Sequence, residues 1–224
     1  NGGRHPLPPR ERVAAWLGLP RVAKPAPADG HWLRAMLSAY ARLLREPRFL
    51  LYVAILAATT ATFYVFLGGA PIVLKGYGIG PDGIGWFIMA VPLSYILGNF
   101  MTSRLIQRLG EARVMAWGQA LTLIGLVVML GLGLAGVQTA LAVALPLLLL
   151  GLGHGLLNPP ALAGTVSVLP ALAGSAAAVA GLMQQLTGAT GGYLVGLVPH
   201  EGAVNLGWMM LGFALLAAVA QFFL

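Results

Sequence analysis

The sequence predicts an all-α, polytopic membrane protein whose six transmembrane helices form one bundle. Of its 224 residues, 58% are hydrophobic and only 8% are charged, whereas soluble domains carry roughly 25% charged residues. The apolar residues are grouped into runs of about 20 residues, the length that an α-helix needs to cross a bilayer. None of the six acidic residues lies inside one of these runs. A water-soluble fold could not bury this much apolar surface.

Composition also excludes several classes of function. Cysteine is absent, which excludes disulfides, thiolate metal sites and cysteine nucleophiles. His154 has no second histidine or acid placed to help it hold a metal ion, so we expect no metal and no cofactor. The net charge of +7 does not indicate nucleic-acid binding, because the basic residues are not spread over a soluble face.

The distribution of lysine and arginine predicts the orientation of the helices. Nine of the thirteen basic residues precede the first apolar run, and Arg104, Arg108 and Arg113 lie in the turn after the second run. Lys75 alone lies on the opposite side of the membrane. Because cytoplasmic connections carry the excess of Lys and Arg, we expect the amino terminus and this turn to be cytoplasmic.

Residues 1–47 are predicted to be a cytoplasmic linker. Residues 1–30 contain six prolines and no sustained periodicity, apart from a short helix expected near 11–17. Residues 31–46 are predicted to form a basic amphipathic helix on the membrane surface, with packing on protein as the alternative. Its apolar face carries Trp32, Met36, Tyr40, Leu43 and Leu44. Because the chain opens on Asn1 and stops within an apolar run, we expect a piece of a longer protein.

The bundle covers residues 48–224. The predicted spans cover about 49–74, 84–106, 114–136, 139–168, 175–198 and 206–224. In the second span Asn99 shares a face with Tyr95 and Thr102. The fourth span is predicted to be broken and kinked at Asn158-Pro159-Pro160, because Pro159 and Pro160 have no backbone N–H to donate. In the fifth span one glycine face is expected to admit another backbone. That face carries Gly181, Gly188, Gly192 and Gly196.

Four strongly polar side chains at membrane depth are candidates for function: His154, Asn158, Gln184 and Gln185. Such groups are tolerated where they face a partner helix or a water-filled cavity. Either His154 and Asn158 line a cavity, or their helix packs closely through its glycines and the two side chains bond across the contact. One glutamine is expected to meet the cavity and the other to join helices, and periodicity does not decide which.

The turn after the second span carries a motif. Ser103, Gln107, Arg108, Gly110 and Arg113 lie at the spacing Ser-x-x-x-Gln-Arg-x-Gly-x-x-Arg. This resembles a degenerate copy of the cytoplasmic loop motif of the major facilitator superfamily. Ser103 and Gln107 stand where that motif has glycine and an acid.

Longer stretches resemble the Bcr/CflA-type drug:proton antiporters within that superfamily. Gly76 to Phe87 looks like the opening of their carboxyl-terminal half, and Ala173 to Gln184 is similar to their Ala-Gly-Ser-Ala-Ser-Ala-x-x-Gly-x-x-Gln run. Gly155 to Pro159 matches the preceding helix, while His154 and Pro160 depart from the family pattern. The resemblance covers about residue 45 to the end and implies helices seven to twelve of a twelve-helix transporter, a major-facilitator half-bundle.

The resemblance implies a multidrug exporter in the inner (plasma) membrane, working by alternating access. Its partners would be an amino-terminal six-helix half, protons, the lipid bilayer and small amphipathic, often cationic, drug-like compounds. Residues expected to contact substrate are Phe63, Tyr64, Asn99, His154, Asn158 and Gln184. Because no acid lies in the spans, proton coupling is expected to come from the other half.

An intramembrane enzyme would need a nucleophile and a base. The serines lack a Gly-x-Ser-Gly setting and His154 lacks an orienting acid, so no enzyme is predicted. A self-contained six-helix channel or a membrane assembly subunit is the alternative function.

Overall fold

The computed structural model describes residues 32–224, and residues 38–224 form one compact unit. The linker predicted over 1–30 and the short helix expected near 11–17 lie outside the described residues. The predicted fold class is confirmed, since the described chain consists of α-helices joined by short connections and contains no β-strand. The helices are α1 Trp32–Leu43, α2 Pro47–Gly76, α3 Pro81–Leu109, α4 Glu111–Leu134, α5 Ala140–Ser167, α6 Ala173–Gly196 and α7 Ala203–Phe222, with a 3₁₀ turn at Pro170–Leu172.

Five of these helices, α2, α3, α4, α5 and α7, are long and apolar enough to cross a membrane. Helix α6 has 24 residues, which gives it a length of roughly 36 Å at 1.5 Å per residue. Its glycines, threonines and the pair Gln184 and Gln185 make it less apolar than the others. One side of it packs along α2, while Leu182, Leu186 and Tyr193 on the other side are exposed. The bounds of all six long helices lie within three residues of the predicted spans.

Two helices form the centre of the bundle. Helix α5 packs along α3 on one side and α4 on the other, while α2 packs along α6 and α7, and α2 and α5 contact each other. The larger buried cluster joins side chains of α2, α4, α5 and α7, among them Phe66, Leu126, Leu147 and Met210. Helices α2 and α5 are therefore the two that neighbouring helices cover most, and both carry polar side chains that lie in the interior of the bundle.

The end of α1 packs on protein. The Leu43 side chain is fully buried, and the Tyr40 side chain packs against the same cluster, which includes Phe49. Leu44, predicted on the same face as these residues, is instead 55% exposed. For residues 38–43 the structure therefore favours the protein-packed alternative over a helix that only lies on the membrane surface.

The predicted break in the fourth span is wrong, because α5 runs without interruption from Ala140 to Ser167 through both prolines. Proline at position 159 leaves the carbonyl of Gly155 without its usual helical donor. The Thr102 hydroxyl of α3 offers a substitute donor, since its Oγ1 lies 2.9 Å from the Gly155 oxygen. The same Oγ1 lies 2.9 Å from the Gly98 carbonyl of its own helix, so the two oxygens share one proton. A neighbouring helix thus satisfies the freed carbonyl, and the helix continues. The expected kink at Pro159 and Pro160 stays a prediction.

Helix α5 crosses its neighbours at backbone-to-backbone distance. A Cβ atom on Gly155 would lie 2.4 Å from the carbonyl oxygen of Tyr95 and 2.8 Å from the Cα of Gly98. On the other side, a Cβ on Gly153 would lie 2.4 Å from the carbonyl oxygen of Gly118. Glycines on one helix therefore face glycines on the next, as in other close membrane crossings.

We expect Thr102→Val to lower the stability of the bundle by about 1–2 kcal/mol. The substitution preserves the side-chain shape but leaves the Gly155 carbonyl without a donor. The measurement is the midpoint of thermal unfolding in detergent. Thr190→Val is the matched control, because the Thr190 hydroxyl is exposed and bonds only to the Leu186 carbonyl of its own helix. Equal midpoints for the two variants would contradict this account of how the helix passes Pro159.

Candidate functional site

A cavity of about 300 Å³ lies between α2, α3, α5 and α6. Each helix contributes residues spaced so that they share one face. The lining residues are Thr59, Thr60 and Phe63 of α2, Val91, Pro92 and Tyr95 of α3, Leu150, Gly151, His154 and Asn158 of α5, and Gln184 of α6. The cavity is apolar for most of its wall, and each of the four helices contributes at least one polar side chain to it.

The imidazole of His154 is the most enclosed polar group in this wall that has no partner. The residue is 4% exposed, and it forms no hydrogen bond with the residues that the structure describes. One helical turn further along, the Oδ1 atom of Asn158 is buried and also unpartnered among the described residues. Buried polar atoms are nearly always hydrogen-bonded in native proteins. Two unpaired groups on one face of α5 are therefore available to a bound molecule or to water.

The structure separates the two glutamines of α6. Gln184 lines the cavity, and its Oε1 atom lies 3.5 Å from the hydroxyl of Thr60. Gln185 lies on the exposed side of the helix, where its Oε1 atom is 3.5 Å from the Tyr64 hydroxyl. Both distances are at the long end for a hydrogen bond. Gln184 is thus the amide that meets the cavity, and Gln185 contacts the neighbouring helix α2.

Four of the six residues expected to contact substrate, Phe63, His154, Asn158 and Gln184, line this cavity. Asn99 lines an adjoining recess that shares Asn158 and Gln184, and its amide nitrogen donates to the Tyr95 carbonyl at 3.0 Å. Tyr64 lines neither space. Its ring lies instead against Gly188 of α6.

The expected substrate contacts did not include several lining residues, chiefly the two threonines of α2 and Tyr95 of α3, which was predicted only to share a face with Asn99. Their signal was present, because each lies three or four positions from a residue that was singled out. Thr59 precedes Phe63 by four positions, and Tyr95 precedes Asn99 by four. The Thr59 hydroxyl donates to the carbonyl of Ile55 in its own helix, so Thr59 offers less to a ligand than Thr60 does.

Charge is absent from the cavity wall as the structure describes it, since no Asp, Glu, Lys or Arg is among the lining residues. The described chain also contains no cluster of His, Asp or Glu that could hold a metal ion. The recognition groups are neutral imidazole, amide and hydroxyl groups beside the aromatic rings of Phe63 and Tyr95. Such a wall can bind a ligand through hydrogen bonds and stacking, and it contains no nucleophile–base pair for a reaction.

The predicted loop motif lies between α3 and α4, away from the cavity. Gly110 is the only residue between the two helices, and its φ of 82° is one that glycine adopts without strain. Ser103, Gln107, Arg108 and Arg113 are exposed around it. The Ser103 hydroxyl donates to the Phe100 carbonyl at 3.3 Å, and the Arg104 guanidinium lies 4.6 Å from the centre of the Phe100 ring. Arg108 and Arg113 form no ion pair with a described residue.

The membrane-crossing helices surround a cavity lined by uncharged side chains, a form that suits a small-molecule site. The chain belongs to the Major Facilitator Superfamily, whose family model matches residues 10–192. It is therefore a multi-pass membrane transport protein and not an enzyme. The predicted resemblance is confirmed at the level of the superfamily.

One curated relative is similar over part of the chain. The riboflavin transporter RfnT of Brucella anthropi is 32% identical over 93 residues, which is 40% of this chain and 22% of the relative. The aligned region thus spans about a fifth of that relative's length. This partial match supports a transporter. The chemical class of the transported compound is inferred below from the residues that line the cavity.

Proposed function

We propose that this chain is the carboxyl-terminal half-bundle of a transporter that exports small amphipathic compounds by alternating access. The observation that carries the proposal is the cavity between α2, α3, α5 and α6, where His154 and Asn158 line a largely apolar space and the Oδ1 atom of Asn158 has no hydrogen-bond partner among the described residues. A pocket that is mostly apolar with a few convergent polar groups is the usual form of a small-molecule site. In transporters built from two repeated bundles, such sites lie at midplane where the bundles meet.

The proposed energy source is the proton gradient, with the titrating group supplied from outside this chain. Proton relays in membranes use Asp, Glu or His. The cavity wall contains no carboxylate, and of these three residue types only His154 lines it. A single imidazole without a carboxylate partner is a poor relay. The proposed partner is therefore an amino-terminal six-helix half that carries an acid in its spans.

The proposed orientation follows from charge. Basic residues are concentrated before α2 and in the α3–α4 turn, so these parts are placed in the cytoplasm of an inner (plasma) membrane. Six crossings then bring the end of α7 to the cytoplasm. Substrates would be taken from the inner leaflet or the cytoplasm and released outside.

The test is efflux by cells that express the protein from its complete gene and lack their own exporters. We expect cells with the unmodified protein to accumulate less of an amphipathic dye than empty cells, and Gln184→Ala to reduce the efflux rate roughly tenfold by removing a cavity amide. Gln185→Ala is the matched control, because this neighbouring amide lies outside the cavity.

Two results would count against the proposal. One is no efflux of any tested dye or of riboflavin by the unmodified protein at normal expression. The other is an equal loss of efflux in both glutamine variants, which would place the function of Gln184 in folding and not in binding. A protein that conducts ions without saturation would favour the channel alternative.

A further inference from the structure

The unpaired polar groups of the cavity are neutral and include both donors and acceptors. A neutral imidazole offers one N–H donor and one acceptor nitrogen, and a carboxamide offers two N–H donors and an acceptor oxygen. His154 has no hydrogen-bond partner among the described residues, and the Oδ1 atom of Asn158 is buried without one. Across the cavity, Gln184 has only a 3.5 Å contact from Thr60. The wall can therefore both donate to and accept from one ligand.

These groups follow one another along the wall. His154 and Asn158 are four residues apart on α5, which places their Cβ atoms roughly 5–6 Å apart on one helix face. This separation is comparable to the O=C–NH–C=O edge of a cyclic imide or the shorter edge of a lactam. The ring of Phe63, on α2, lines the same cavity and offers a flat apolar surface beside these groups.

The cavity wall offers a cation little to replace the hydration that it loses on binding. No carboxylate lines the cavity, so a cation that enters loses its hydration without gaining an opposite charge. The rings of Phe63 and Tyr95 and the amide and hydroxyl oxygens of the wall attract a cation, but none of these groups carries an opposite charge. A neutral flat molecule gains from the same rings without the loss of hydration.

We infer that this half-bundle binds an uncharged, planar part of the cargo that carries an adjacent hydrogen-bond donor and acceptor, as in a cyclic imide or lactam. His154 and Asn158 form hydrogen bonds with the donor and the acceptor of the cargo. Gln184 lies across the cavity from them, and Phe63 contacts the flat ring. The inference rests on the proposed transport function and narrows its cargo, because the sequence resemblance alone implies compounds that are often cationic.

The test compares three flat fluorescent probes, of which the first two differ in the imide N–H and the third is a cation without an imide edge. Naphthalimide carries an imide N–H, N-methylnaphthalimide has that N–H blocked, and N-methylacridinium carries a positive charge. Dissociation constants are measured with the protein, expressed from its complete gene, in lipid nanodiscs. We expect naphthalimide to bind roughly tenfold more tightly than its methylated form, and the cation to bind more weakly than naphthalimide.

Variants identify the groups that make this distinction. In His154→Leu and Asn158→Leu, naphthalimide and its methylated form should bind with constants that differ less than twofold or threefold. His154→Gln should retain part of the difference, because a carboxamide also donates and accepts. Gln185→Leu, outside the cavity, should keep the full difference. Thermal unfolding of each variant establishes that the bundle is intact.

The outcomes separate this inference from the proposed function. Equal binding of the two imides by the unmodified protein, or tightest binding of the cation, overturns the inference while efflux by the same protein leaves the transport function in place. A protein that neither binds nor exports any of the three probes overturns both. Loss of the difference only in the cavity variants supports the inference.

Discussion

Gly155→Ala is expected to destabilise the bundle by about 3 kcal/mol, although it adds a single methyl group to a helix. The added Cβ would lie 2.4 Å from the carbonyl oxygen of Tyr95 and 2.8 Å from the backbone nitrogen of Asn99. Neither atom belongs to a flexible side chain, so α3 and α5 would have to move apart. That movement would also lengthen the 2.9 Å bond from Thr102 to the Gly155 carbonyl.

The measurement is unfolding in mixed detergent micelles, with Gly181→Ala as the control. Gly181 is also inside a long helix, but a Cβ there would have no neighbour within 4 Å. Alanine is favoured over glycine in a helix interior by roughly 0.5–1 kcal/mol, so the control should be neutral or slightly stabilising. Destabilisation of the same size in both variants would show that glycine matters here for a reason other than the crossing with α3.

The positions of close helix contacts at glycines could be predicted only in part from the sequence. The glycine face of the fifth span was expected to admit another backbone, yet Gly181 and Gly196 have open space where a Cβ would lie. The closest crossings instead use glycines of α3, α4 and α5. A spacing of three or four places glycines on one face, but it does not say whether a neighbouring helix lies against that face.

The helices themselves could be predicted with small error. Apolar runs bounded by glycine, proline and charge correspond to the six long helices, because the bilayer fixes the length that each run needs. The break at Asn158-Pro159-Pro160 could not be judged from α5 alone. Whether a proline interrupts a helix depends on a donor from elsewhere, and here Thr102 supplies it from 53 residues away in the sequence.

The candidate site was predictable in part. His154, Asn158 and Gln184 were singled out because strongly polar side chains are rare at membrane depth, and the structure brings them to one cavity. Phe63 and Tyr64 are both aromatic residues expected to contact substrate, but they are adjacent in α2. Adjacent residues in a helix point about 100° apart, so only one of them faces the cavity.

Asn158→Asp is expected to reverse the charge preference of the cavity. Asparagine and aspartate have nearly the same shape, so the substitution changes little except the charge. At a separation of about 5 Å and an effective dielectric constant of about 20, a carboxylate attracts a monovalent cation by on the order of 3 kcal/mol, which corresponds to roughly a hundredfold in affinity. N-methylacridinium should then bind more tightly than naphthalimide, whose imide oxygens would face a negative charge.

The control is Gln185→Glu, which adds the same charge one residue from Gln184 but on the exposed side of α6. Dissociation constants for both probes should change little in this variant, because the side chain at position 185 does not line the cavity. An unchanged order of the two probes in Asn158→Asp, with a stable bundle, would mean that this side chain does not face the bound cargo. If Gln185→Glu also made N-methylacridinium bind more tightly than naphthalimide, the change would be due to the net charge of the protein and not to the cavity.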